Sequence, residues 1–176
     1  MSIFSGKKQI KKKRALLTKE AETFIQVHYV RDRQSQNYLY NALKLKDDPD
    51  RDACNEWYII NGNPETYPAI ILRYLDDKRT SIETLTSKTG MDSNYIDNLK
   101  NDTNYVPAKG EAVAACLACK LNFEEARVLL EKSGYQLTNS SKEDLIVRYF
   151  LLNKLYSTSD LNYVLETICN VKLKDL

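Results

Sequence analysis

The chain has 176 residues, 43% of them hydrophobic and 28% charged, which is ordinary for a globular protein and enough for one domain with an extension or two small domains. No apolar run approaches the roughly 20 residues that a membrane helix needs, and cations follow Ile10 where a secretory signal would be apolar, so we expect a cytoplasmic protein without a membrane partner. The net charge of +2 is unevenly placed: residues 1–20 hold seven basic residues and one acidic residue, whereas the remainder holds 19 basic and 23 acidic residues, a net charge of −4.

The basic start of the chain is predicted to be a separate segment. Its cations are Lys7, Lys8, Lys11, Lys12, Lys13 and Arg14. We assign residues 1–17 to a basic flexible arm, which either contacts nucleic-acid phosphates or an acidic partner, or is only a solvated tail. Thr18 is predicted to cap the first helix, because acidic residues follow it and apolar residues recur at helical spacing from Leu17 to His28.

Residues 18–64 are predicted to form a helical N-terminal region. After the first helix, residues 38–45 suggest a second helix, and a third runs through residues 57–60. The acidic residues between positions 47 and 52 resemble the start of a calcium loop, but they lack the glycine and the bidentate glutamate that such a loop requires. The turn-forming sequence of residues 61–64 marks the boundary with the next domain.

The sequence shows no constellation of catalytic or metal-binding side chains. Cys116 and Cys119 have the spacing of a redox or zinc pair, but they lie in a run of small apolar residues, where cysteine is typically a small core residue. His28 is the only histidine, and the sequence contains no phosphate-binding glycine loop, zinc helix or nucleophile motif. We therefore expect a non-enzymatic protein with no metal and no cofactor.

Residues 65–176 are predicted to form an all-α domain built around a helix-turn-helix. Pro68 begins a scaffolding helix, whose buried residues are expected to be Ile70, Ile71, Tyr74 and Leu75. Two short helices follow, capped by Ser81 and Asp92, with Gly90 as the turn between them. The inward residues of this motif are Ile82, Leu85, Met91, Ile96 and Leu99.

The remaining sequence predicts four more helices. The first is a small-residue helix over about residues 109–120, whose alanines let neighbours approach closely. The residues predicted to cap or end the later helices are Asn122 with Glu125, Gly134, Ser140 or Ser141, and Ser159. The last two helices either complete the core or form a surface for dimerisation or partner binding.

The predicted motif resembles the helix-turn-helix of the lambda-repressor-like (Xre) family. The apolar and glycine positions of that motif fall on Leu85, Gly90, Met91, Ile96 and Leu99. Residues 130–135 and 140–150 resemble the ending that follows this motif in a group of bacterial helix-turn-helix proteins. The resemblance covers the chain from about Tyr67 onward. It implies a lambda-repressor-like helix-turn-helix bundle, here with a helical N-terminal extension, and a DNA-binding transcription regulator of bacteria or phage.

The resemblance also implies which residues contact double-stranded DNA. In the family, the second motif helix enters the major groove, where asparagine side chains can read adenine. The residues placed in the groove are Ser93, Asn94, Tyr95 and Asn98. Those expected to contact phosphates are Lys88, Lys100, Lys109 and the six cations of the basic arm. A homodimer is expected, because one short helix reads too few base pairs for useful specificity.

The alternative is a protein-interaction module on the same scaffold, such as an antitoxin, an inhibitor or a component of a bacterial or phage conflict system. Residues 92–102 hold three aspartates and one lysine, a local charge that repels DNA. The N-terminal region is also rich in the aromatic residue types that anchor protein interfaces, among them Tyr38, Tyr40, Trp57 and Tyr58. Exposure of these four side chains as a patch would favour a protein partner.

Overall fold

The computed structural model describes residues 3–29, 65–82, 85 and 93–176. Within these ranges the chain forms seven α-helices, one short 3-10 helix and no strand. The helices are α1 (Ile3–His28), α2 (Tyr67–Asp77), α3 (Ser93–Asn101), α4 (Lys109–Ala118), α5 (Phe123–Lys132), α6 (Lys142–Leu152) and α7 (Thr158–Cys169), followed by the 3-10 helix Leu173–Asp175. The all-α class is confirmed for the described ranges, and the repressor-like arrangement stays a prediction.

Several predicted features lie outside the described residues. These are the second and third helices of the N-terminal region with their tyrosine and tryptophan side chains, most of the first motif helix, and the turn at Gly90 with Met91 and Asp92. Two inward positions of the first motif helix are described: Leu85 is fully buried and Ile82 packs against the core. Both agree with the prediction.

The basic start of the chain is part of a helix. Residues 3–17, which we assigned to a flexible arm, belong to α1, and the expected cap Thr18 lies inside that helix, where its hydroxyl donates to the Arg14 carbonyl. From Leu17 onward this helix is held by one buried stripe, Leu17, Ala21 and Ile25, which packs against α6 and α7. Residues 1–29 therefore belong to the same compact unit as residues 66–176.

The core is centred on the small-residue helix α4. Almost every side chain from Ala112 to Cys119 is fully buried, and α4 packs against α5, α7 and the 3-10 helix. Small side chains permit this because they let helix backbones approach closely. Cys116 and Cys119 are buried thiols at this centre, and burial raises the pKa of the Cys116 thiol, which favours the unreactive protonated form.

Local sequence determines most of the helix ends. Asn122 and Glu125 form the predicted capping box of α5, and Gly134 has the left-handed φ of +77° that ends this helix. Ser141 caps α6, one of the two predicted residues. The prediction for α7 was wrong, because Ser157 rather than Ser159 accepts a hydrogen bond from the Asp160 backbone and caps the helix.

The second motif helix packs through a different pair of residues from the one predicted. Tyr95 and Leu99 are buried, whereas Ile96 is only half-buried. The Tyr95 hydroxyl lies 2.6 Å from the Tyr67 hydroxyl of α2, so the more polar side chain can be buried with its hydrogen bond satisfied. The ring of Tyr105 meets both tyrosine rings edge-on and joins α3 to the loop that follows it.

Candidate nucleic-acid interface

The first turns of α1 carry exposed positive charge. Every residue from Gly6 to Lys13 is classed as exposed. Four of its lysines form no ion pair with another described residue, and we call them the outer lysine row: Lys7, Lys8, Lys11 and Lys12. A helix turns by about 100° per residue, which places Lys8 and Lys12, with Lys19 further along, roughly opposite the buried stripe at Leu17.

The outer lysine row is electrostatically unfavourable when nothing is bound. Lys7 with Lys11, and Lys8 with Lys12, are like charges four residues apart, and each such pair destabilises a helix by about 0.2–0.5 kcal/mol. The row also lies near the helix N-terminus, where the helix dipole favours anions over cations. A bound polyanion relieves both effects, so this segment is suited to phosphate groups.

The last two cations of the basic run are bound to the protein itself. Lys13 Nζ lies 2.6 Å from one carboxylate oxygen of Asp160 in α7, and Arg14 Nε lies 3.0 Å from the other. The Arg14 guanidinium also lies over the Tyr163 ring, 5.2 Å from its centroid. We predicted that Lys13 and Arg14 contact phosphates; the structure instead places both against Asp160, in a contact within the protein.

Asp160 is stabilised as a carboxylate by this contact. Only 9% of its side chain is exposed. Burial acts to raise the pKa of Asp160, but the hydrogen bonds from Lys13 and Arg14 outweigh burial and hold that pKa below its ordinary value. We refer to Asp160, Lys13 and Arg14 as the α1 clamp.

The exposed face of α3 is polar and close to neutral. Asn94, Asn98 and Lys100 are exposed, as predicted for groove-facing and phosphate-contacting residues, and Asp97 beside them offsets the charge of Lys100. We call Asn94, Asn98 and Lys100 the α3 outer face. Ser93 is the first residue of α3. The helix therefore presents amide groups that can read base edges but little positive charge that would attract phosphates.

Two predicted DNA contacts are corrected by the structure. Tyr95 is 1% exposed and bonded to Tyr67, so its hydroxyl cannot reach DNA. Lys109 forms an ion pair with Asp144 of α6, and their side chains are 18% and 3% exposed. Lys88 lies outside the described residues. The predicted DNA contacts that remain lie in the outer lysine row and the α3 outer face. The first was predicted from the charge of the N-terminal segment, and the second from the resemblance to a helix-turn-helix.

Asp160 and Asp144 are the important residues that the sequence did not reveal. Each is an acidic residue in the first turn of a helix, where a carboxylate is expected for dipole reasons alone. Their cationic partners lie 147 and 35 residues away along the chain. Local pattern contains no information about pairs at such separations, so only the folded structure identifies them.

The buried tyrosine pair gives a prediction that separates packing from DNA contact. Replacing Tyr95 with phenylalanine leaves the Tyr67 hydroxyl buried without its partner, and we expect a loss of about 1–2 kcal/mol in the free energy of unfolding. The double change to phenylalanine at both positions should cost less than the sum of the two single changes. DNA affinity of the folded Tyr95→Phe protein should be unchanged, and a clear loss of affinity would restore Tyr95 as a contact.

Two kinds of structural feature are absent from the described residues. No described helix is both long and apolar enough to cross a membrane. The described histidine, cysteine and acidic side chains form no group of three that could hold a metal ion. Comparison of the sequence and structure with protein-family models, curated proteins and solved structures found no significant match.

Proposed function

We propose that this protein is a non-enzymatic, DNA-binding transcription regulator of the Xre type. The observation that carries the proposal is the outer lysine row, a set of exposed cations on an extended helix that form no ion pair with another described residue. Duplex DNA presents a dense line of phosphates, and lysines that neutralise them release condensed counterions, which drives binding. The row supplies affinity for any sequence.

Sequence discrimination is assigned to the α3 outer face. Asn94 and Asn98 are exposed one helical turn apart, and asparagine can form a bidentate pair with adenine in the major groove. Lys100 at the end of the helix is placed for a phosphate contact. One helix of nine residues contacts few base pairs, so the regulator is proposed to act as a homodimer on two half-sites.

A salt series with matched variants tests this division of roles. In the triple variant Lys8→Gln, Lys11→Gln and Lys12→Gln, we expect affinity for all duplexes to fall by about ten- to a hundredfold at physiological salt. The slope of log affinity against log salt should become shallower by roughly 2 to 3, because each lost phosphate contact contributes about 0.9. Fluorescence anisotropy with random duplexes and duplexes from neighbouring genes measures both quantities.

The control removes the same charge from another part of the surface. Lys142, Lys154 and Lys174 are also exposed, and changing these three to glutamine should leave the salt slope nearly unchanged. Asn94→Ala should reduce discrimination among duplexes by about tenfold while keeping the slope. Equal losses from both lysine triplets would show non-specific attraction to net charge and would contradict the proposed role of α1.

A second candidate is a protein-interaction module on the same scaffold. One observation in its favour is that Asp97 offsets the charge of Lys100 on the α3 outer face, which leaves little attraction for phosphates. Another is that Tyr95 and Lys109, both predicted to contact DNA, bind Tyr67 and Asp144 within the protein. This candidate predicts that the intact protein binds no duplex selectively at physiological salt. Selective duplex binding that depends on Asn94 would exclude it as the main function.

A further inference from the structure

The polar contacts of the basic end of α1 with other described helices are grouped around Asp160. Along residues 6–16, the polar contacts made with another described helix are those of Lys13 and Arg14 with Ser159 and Asp160. The buried stripe begins only at Leu17, so it does not support the outer lysine row directly. The α1 clamp is therefore the contact nearest to the row that holds α1 against α7.

The clamp is expected to stay closed when an anion binds nearby. Asp160 is nearly buried, and a buried carboxylate that loses its cations is strongly destabilised. If Lys13 and Arg14 moved to phosphates, the new ion pairs would be exposed to water and therefore weak, so they would not offset the loss at Asp160. Lys13 and Arg14 therefore remain on Asp160, and the outer lysine row alone is available to phosphates.

We propose that Asp160 is a positioning residue for phosphate binding: by holding Lys13 and Arg14, it presents the outer lysine row to duplex DNA as a rigid, correctly aimed helix. This inference rests on the proposed DNA-binding function and names the residue that controls its phosphate-contacting surface. Residues four apart on the row lie about 6 Å apart along the helix axis. A fixed row of this kind matches a rigid ligand, because less conformational freedom is lost on binding.

The substitution Asp160→Asn separates positioning from simple charge, since the two effects have opposite signs. The change removes one negative charge and releases two cations. If Asp160 only neutralised them, duplex DNA would bind more tightly and the salt slope would steepen by as much as roughly 2. If Asp160 positions α1, affinity for a 20-base-pair duplex should instead fall by about fivefold or more.

A flexible polyanion provides the internal comparison. Long-chain inorganic polyphosphate can adapt to a mobile helix, so its affinity should be unchanged or higher in Asp160→Asn. Glu22→Gln is the matched control, because Glu22 is an exposed residue of α1 and its loss gives the same change of net charge without touching the clamp. It should tighten binding of both ligands slightly. Asp160→Glu, which keeps the carboxylate, should retain most of the duplex affinity.

If Asp160→Asn folds poorly, the variant Arg14→Lys and a hydrogen-exchange measurement test the positioning role instead. Arg14→Lys keeps every charge but loses the planar contact with the carboxylate and the Tyr163 ring, and it should lower duplex affinity in the same direction by a smaller factor. Amide hydrogen exchange of residues 7–14 should be faster in both clamp variants.

The outcomes separate the two proposals. Tighter duplex binding by Asp160→Asn, or unchanged exchange and affinity in both clamp variants, would overturn the positioning role while leaving a DNA-binding regulator in place. If the unaltered protein binds a duplex no more tightly than polyphosphate at equal phosphate concentration, and no duplex selectively, both proposals fail. Weaker duplex binding together with unchanged polyphosphate binding supports the positioning role.

Discussion

Replacing Gly110 with alanine is expected to detach the C-terminal 3-10 helix from α4. A Cβ atom at this position would lie 1.8 Å from the Leu173 carbonyl oxygen and 2.8 Å from its carbonyl carbon, so the backbone itself must move. Overpacking of this kind typically costs about 1–3 kcal/mol, and more when the obstacle cannot rotate away. Urea unfolding followed by circular dichroism would measure the loss.

Two further proteins show whether the contact with Leu173 is the cause. Gly6→Ala makes the same change in α1 where nothing lies within 4 Å, and it should be neutral or stabilising by up to about 1 kcal/mol. Deleting residues 173–176 removes the obstacle and also the buried Leu173 side chain, so it should destabilise the protein by itself. In that shortened chain, Gly110→Ala should cost almost nothing more. If Gly110→Ala costs as much in the shortened chain as in the full chain, the alanine is not strained by Leu173.

Helices that are defined by local signals could be predicted from the sequence. Pro68 and the apolar spacing after it predicted α2 with Ile70, Ile71, Tyr74 and Leu75 buried, and all four are buried. Asn122, Glu125 and Gly134 likewise predicted both ends of α5. These signals act within one or two helical turns, so they do not depend on how the rest of the chain folds.

The prediction of a flexible arm over residues 1–17 was wrong because the local sequence and the tertiary contacts of this segment favour different structures. A run of cations is typical of a solvated arm, and by itself it opposes a helix N-terminus. The structure nevertheless continues α1 to Ile3, and its attachment comes from Asp160 in a helix that is distant in sequence. The same contact divides six basic residues that look equivalent in the sequence into two that hold the helix and four that form no ion pair with another described residue.

The candidate site could be predicted only where side chains make no tertiary contact. Asn94, Asn98 and Lys100 are exposed on α3, the helix that the sequence predicted. Tyr95 and Lys109 failed because each has a partner, Tyr67 or Asp144, that local pattern does not reveal. Aromatic and cationic side chains are useful both for binding ligands and for satisfying buried groups, so residue type alone does not distinguish the two uses.

Removing the Asp144 side chain is expected to be one of the most destabilising single changes in the described part of the chain. Its carboxylate pairs with Lys109 and accepts hydrogen bonds from the backbone nitrogen and the hydroxyl of Thr138, at 3.0 and 3.1 Å. Asp144→Ala leaves these donors without an acceptor in a site where 3% of the carboxylate side chain was exposed. Breaking a buried pair in this way typically costs about 3–5 kcal/mol.

A double-mutant cycle in urea would separate the ion pair from the rest of this network. Lys109→Met alone leaves a buried carboxylate facing only neutral donors, and the double change Asp144→Ala with Lys109→Met should cost clearly less than the two single losses together. Arg127→Met is the control, because Arg127 pairs with Glu124 and Glu131 on the exposed surface of α5, where solvent screens the charges, and the change should have little effect on stability. If Lys109→Met instead leaves stability intact and weakens duplex binding with a shallower salt slope, Lys109 is a phosphate contact after all. Our assignment requires the reverse: a large loss of stability and, at equal folded fraction, unchanged DNA affinity.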